Sequence, residues 1–131
     1  MDNKLDKILA EISAGELIDK ITILEIKKQK IKDLEKLKDV EKELSSLNDT
    51  LKKSKIDQSK ILPLINQLKS INLKLWDIEN GKRLAEKSSD FGDNFIELAR
   101  NVYKTNDDRS RVKLEINNIL CSNIKEVKSH Y

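Results

Sequence analysis

A single cysteine, Cys121, leaves no partner for a disulfide within the chain. That fits a reducing compartment. One proline and three glycines among 131 residues leave few helix breakers, and aromatic residues make up only 4%. Strand-like alternation and glycine-containing hairpin signals are missing, so a β-fold has no support. No apolar run approaches the roughly 20 residues that a membrane span needs. The start, MDNKLDKILAEIS, places acids and lysines where a signal peptide carries its apolar core. A cytoplasmic location is therefore expected. Charge of one sign is lacking too, because 26 basic residues meet 23 acidic ones for a net charge of +3. A nucleic-acid surface needs clustered Lys and Arg. Here the signs alternate, as in KKQKIKDLEKLKDVEKEL, which describes a salt-bridged exposed helix. Neither nucleic acid nor a membrane is an expected partner.

Signatures of catalysis are also scarce. The lone histidine, His130, stands next to last and has no second histidine to share a zinc ion with. Cys121 has no histidine at a useful place for thiol chemistry. No glycine-rich loop exists to cradle a nucleotide. No catalytic residue, metal ligand or cofactor is assigned.

What is present is charge and helical periodicity. Charged residues reach 37% of the chain, above the roughly 25% of an average domain. The length suits one domain, residues 1–131. Residues 1–12 read as a short amphipathic helical extension through Leu5, Ile8, Leu9 and Ile12. Ser13 followed by Glu16 is a capping box, so a helix starts there and carries Leu17, Ile18, Ile21, Leu24 and Ile31. Asp33 is a break or a new cap. Leu37, Val40, Leu44, Leu47 and Leu51 then form a heptad seam. The polar stretch 50–59 holds the interhelix loop, with Asp57 or Ser59 as the next cap and Pro63 in a first turn. A long third helix follows through Leu64, Leu68, Ile71, Leu75, Ile78 and Ala85, with fraying or a bend at Gly81. Residues 88–92 make the next turn. The stretch 95–117 reads as two helical segments joined at Thr105-Asn106-Asp107-Asp108, and 122–131 as a partly ordered tail. The expected fold is all-α: an antiparallel bundle of four to five helices, partly coiled-coil-like. A homodimer is the expected assembly, with the Leu37 to Leu51 seam able to serve an intrachain or interchain partner.

One row of side chains is more specific than a solvated face requires. Tyr103, Asn106, Arg109, Lys113 and Asn117 recur at spacings of three and four beside an apolar stripe. The third helix offers a matching row, Asn72, Trp76, Glu79 and Arg83. The first helix adds Asp19 and Lys20. Antiparallel packing brings such borders together, so Asp19, Lys20, Glu79, Arg83, Tyr103, Asn106, Arg109 and Lys113 are the candidate ligand-binding residues. Two readings stand. The charges either pair with one another and fix helix register, or leave an Arg or Lys free for an anion.

Four segments carry a resemblance: GELIDKITILEIKKQKI, LWDIENGKRLAE, FGDNFIELARNVYKTNDDR and INNILCSNIKEVKSHY. Together they resemble a family of short, helical bacterial proteins known only as a domain of unknown function, over about residue 13 to the C-terminus. The resemblance implies a single helical domain and an occurrence near sugar-transfer and cell-surface polysaccharide genes. It implies no activity. Members begin near Ser13 in a more extended way, whereas residues 1–12 here read as helical. The functional expectation is a non-catalytic binding or interaction module for an unknown protein partner. The alternative is a small enzyme or a sensor that binds an anionic metabolite, such as a sugar phosphate or nucleotide.

Overall fold

The computed structural model describes residues 4–129. Four α-helices follow in order: α1 (Ala14–Lys30), α2 (Leu34–Ser54), α3 (Leu62–Lys87) and α4 (Asp93–Ile119). A short 3-10 turn, Gln58–Lys60, precedes α3. No strand occurs among the described residues, and no helix is long and apolar enough to cross a membrane.

Side chains at the boundaries set where the helices begin. Ser13 lies in extended backbone and its hydroxyl accepts the N–H of Glu16 at 3.1 Å. Asp33 accepts the N–H groups of Glu35 and Lys36 and starts α2 in the same way. Each such cap contributes about 1 kcal/mol. Asp57 accepts the N–H of Ser59 at 3.1 Å and caps the 3-10 turn. Pro63 falls in the first turn of α3, where its missing N–H is not needed. The capping box at Ser13 is half made, because the Glu16 carboxylate turns away to Lys113 and Lys20.

Helix α1 packs against all three others, and α3 runs along α4. The core joins Leu17, Ile18, Ile21 and Leu24 of α1 to Val40, Leu44 and Leu51 of α2, Leu64 and Leu68 of α3, and Val112 and Ile116 of α4. The heptad seam of α2 is thus spent inside the chain, with Leu47 packed at its edge. That leaves this seam unavailable for an interchain partner.

Three local expectations fail for physical reasons. Residues 4–12 form no helix. Leu5, Ile8 and Leu9 are 83%, 84% and 88% exposed, so no surface covers the apolar side. A helix that short is marginal in water without such cover. The expected joint at Thr105–Asp108 is absent, and α4 continues through it to Ile119. Asn and Asp cost only about 0.7 kcal/mol each in a helix, and Thr105 at this point is buried at 3% exposure. Packing outweighs so small a preference. Gly81 does not interrupt α3 either. A Cβ there would lie 3.2 Å from a Leu98 methyl, so the glycine admits α4 at close range.

Candidate functional site

Gly15 begins the construction. A Cβ on this residue would stand 2.5 Å from the Lys113 carbonyl oxygen, so only glycine lets α1 and α4 approach this closely. The Gly15 N–H donates to Asn117 Oδ1 at 2.6 Å. This approach lays Arg109 and Lys113 of α4 over Asp19 of α1.

Asp19 is fully buried. Arg109 Nε donates to its Oδ1 at 2.9 Å, and Arg109 Nη2 donates to its Oδ2. Asn72 of α3 donates from Nδ2 to the same Oδ1 and to Thr22 Oγ1, both at 2.9 Å. The Thr22 hydroxyl donates to the Asp19 carbonyl at 2.7 Å. Three helices therefore meet on one carboxylate. A buried charge is tolerable only when paired and hydrogen-bonded in this way. The bonds from Asp19 outweigh burial and raise the Arg109 guanidinium above its already high range.

A second pair flanks the first. Lys113 Nζ stands 2.6 Å from Glu16, 3.2 Å from Glu126 and 3.9 Å from Asp19. Burial works to lower the Lys113 ammonium, but the Glu16 bond and the field of Asp19 and Glu16 outweigh it and raise it. Burial likewise works to raise the Glu16 carboxyl, and the bond and charge of Lys113 carry it below the ordinary 4.5. The C-terminal segment closes over this end. Ser122 Oγ accepts the Ala14 N–H at 3.0 Å, and the Ser13 hydroxyl donates to Glu126 at 3.2 Å. Lys128 pairs with Asp107 at 3.0 Å. A cavity of about 740 Å³ lies between α4 and this tail.

Beside the Asp19 pair opens a cleft of about 440 Å³. Ile23 and Ile26 of α1 form one wall, and Leu75 and Trp76 of α3 the other. Asn72, Glu79, Asn80, Arg83 and Arg109 supply its polar groups. Among the described residues, no buried side-chain nitrogen or oxygen lacks a partner. Asn72 Oδ1 and Arg109 Nη1 make no hydrogen bond to those residues. Both atoms are therefore reachable by solvent, and the cleft is the opening their side chains line. Arg83 is exposed and pairs with no described residue. Glu79 holds a loose exposed pair with Lys82 at 3.5 Å.

The eight residues expected to share one pocket divide into groups. Asp19, Arg109 and Lys113 converge on the buried network. Glu79 and Arg83 join Arg109 at the cleft. Lys20 stays at the periphery, paired with Glu16 at 3.4 Å. Tyr103 is 57% exposed. Neither it nor Asn106 lines the cleft or the tail cavity. Asn72 was visible in the α3 row but is more central than its spacing suggests. Thr22, Ile23 and Ile26 carry no signal in the sequence, since a Thr or Ile on an amphipathic helix is ordinary. His130 lies outside the described residues. Among those described, no group of three or more His, Cys, Asp or Glu side chains is placed to hold a metal ion.

A family model described as a family of unknown function, DUF6165, matches residues 8–131. No curated protein and no solved structure matches the chain.

Proposed function

Because the chain belongs to DUF6165, whose function is not assigned, its role has to be read from the cleft, and we propose that it is a non-catalytic module binding a small anionic molecule there. One observation carries the reading. The cleft combines an apolar floor with cationic donors left free, Arg83 entirely and Arg109 at Nη1. Small-molecule sites have this build: mostly apolar walls and a few placed polar groups. Guanidinium groups are the usual partners of carboxylates and phosphates. The two readings of the charged row then apply to different residues. Arg109 with Asp19 fixes register, and Arg83 is the cation available to a ligand.

Thermal-shift and calorimetric titration against sugar phosphates, nucleotides and carboxylates tests this. At least one class should bind the wild type and bind Arg83→Ala at least about tenfold more weakly, the order expected from losing one charged hydrogen bond. Equal binding by wild type and variant rejects the assignment.

The cytoplasm is the proposed location, supported by one exposed cysteine, Cys121, which has no disulfide partner. Pairing into a homodimer is proposed as well. What supports it is an outward apolar pair on α4, Ile96 and Tyr103, one heptad apart and 45% and 57% exposed. Sedimentation velocity should show a dimer for wild type and a monomer for Tyr103→Glu; a wild-type monomer at tens of micromolar ends this part.

A further inference from the structure

The charges of the cleft come close to cancelling. Arg83 and Arg109 are positive, Glu79 is negative, and Asp19 sits bonded behind Arg109. Such a lining offers little net field to a dianion. What it offers is direction. Asp19 accepts only, so the amide of Asn72 must turn its Nδ2 inward to meet Oδ1. That fixes Asn72 Oδ1 as an acceptor facing the cleft, on a residue only 5% exposed. Arg109 Nε and Asn72 Nδ2 donate to the same Asp19 oxygen, each at 2.9 Å. The two groups are therefore neighbours, and each lines the cleft with one atom left over, a donor on Arg109 and an acceptor on Asn72. An anion lacking a donor would leave Asn72 Oδ1 desolvated and facing another oxygen. A site built to hydrogen-bond discriminates strongly against a ligand that cannot complete the bond.

From this we infer that the ligand is a carboxylate bearing an amino or hydroxyl group on the adjacent carbon, with a flat or branched apolar body. The carboxylate meets Arg109 Nη1 and Arg83. The amino or hydroxyl group donates to Asn72 Oδ1. The apolar body lies on Trp76, Leu75, Ile23 and Ile26. The inference rests on the cleft being the binding site.

Trp76 is the only tryptophan and lines the cleft, so its fluorescence reports occupancy. The full chain is titrated with matched probes. These are L-leucine and L-phenylalanine, their α-hydroxy counterparts, and 4-methylpentanoate and 3-phenylpropanoate, which lack the α-substituent. Glucose 6-phosphate and AMP form the phosphate arm. The expected result is saturable binding of an α-amino or α-hydroxy acid, at least about tenfold tighter than its unsubstituted match. Which of the two binds identifies the donor. Arg83→Ala should weaken that binding about tenfold with an unchanged melting temperature. Tighter binding of an unsubstituted acid or a phosphate overturns the inference and leaves the cleft an anion site. No response to any probe from the folded chain overturns both.

Discussion

The two ends of the α3–α4 hairpin are built on opposite terms. Where α3 begins and α4 ends, α1 covers the pair with α2 packed on α1, and the hydrophobic core is continuous. Toward the turn at residues 88–92 the pair stands without that cover. The main core has no buried member between Leu68 and Val112. In that interval Leu84 is 66%, Phe91 55% and Ile96 45% exposed. Polar groups follow the same division. At the covered end every charge near Asp19 has a partner, and that is what permits burial. At the open end Arg83 has none among the described residues, and it is exposed. The cleft lies where the two terms meet. Arg109 is shared by both, with Nε and Nη2 held by Asp19 and Nη1 left over. Rigid placement comes from the covered end and free binding capacity from the open one.

Paired substitutions break or sharpen this contrast. Leu68→Ala removes a fully buried side chain at the covered end and should cost about 3 kcal/mol. Ile96→Ala at the open end should stay within about 0.5 kcal/mol. Urea denaturation monitored by helical circular dichroism gives both; similar losses would show that the hairpin is one uniform body.

Gly15→Ala should follow at about 2 kcal/mol. The new methyl meets the Lys113 backbone carbonyl, which cannot rotate aside as a side chain could. It should also loosen the Arg109–Asp19 bond by moving α4 outward. Gly92→Ala, where the nearest atom is 3.7 Å away, is the comparison without a clash and should cost less, about 1 kcal/mol at most from the weaker N-cap of α4.

The smallest effect is that of pH. The Glu16 carboxyl is lowered in the folded chain, so its contribution is complete above 4.5 and is lost as pH falls through the lower folded value. The Lys113 ammonium is raised, so its contribution is complete below 10.5 and is lost as pH rises through the higher folded value. Both groups are partly solvated, so each slope should amount to less than about 1 kcal/mol. Thermal melts at stepped pH should show the acid slope flattened in Glu16→Gln and the alkaline slope flattened in Lys113→Met. Unchanged slopes would assign the pH dependence elsewhere.

Much of the fold is legible in the sequence because its signals are local. Ser13, Asp33 and Asp57 cap the adjacent turns, and Pro63 marks the start of α3. Three-four spacing separates core from surface in α2 and α3. The failures are nonlocal. Leu5, Ile8 and Leu9 have helical spacing, but spacing supplies no surface to pack on. Asn106 and Asp107 look like a joint until the fold buries Thr105 beside them. The candidate site divides in the same way. The rows on α3 and α4 were visible as polar borders, yet only three dimensions show that Arg109 closes on Asp19 while Tyr103 turns outward. Nothing in the spacing distinguishes the paired arginine from the free one.

The account rests on that distinction, and one denaturant experiment on two variants tests it. Arg109→Ala strands the buried Asp19 carboxylate and should lose about 3 kcal/mol or more. Arg83→Ala removes a solvated, unpaired cation and should remain within roughly 0.5 kcal/mol of wild type. Equal losses, or a larger loss for Arg83→Ala, would contradict the division between a register-fixing arginine and a ligand-binding one.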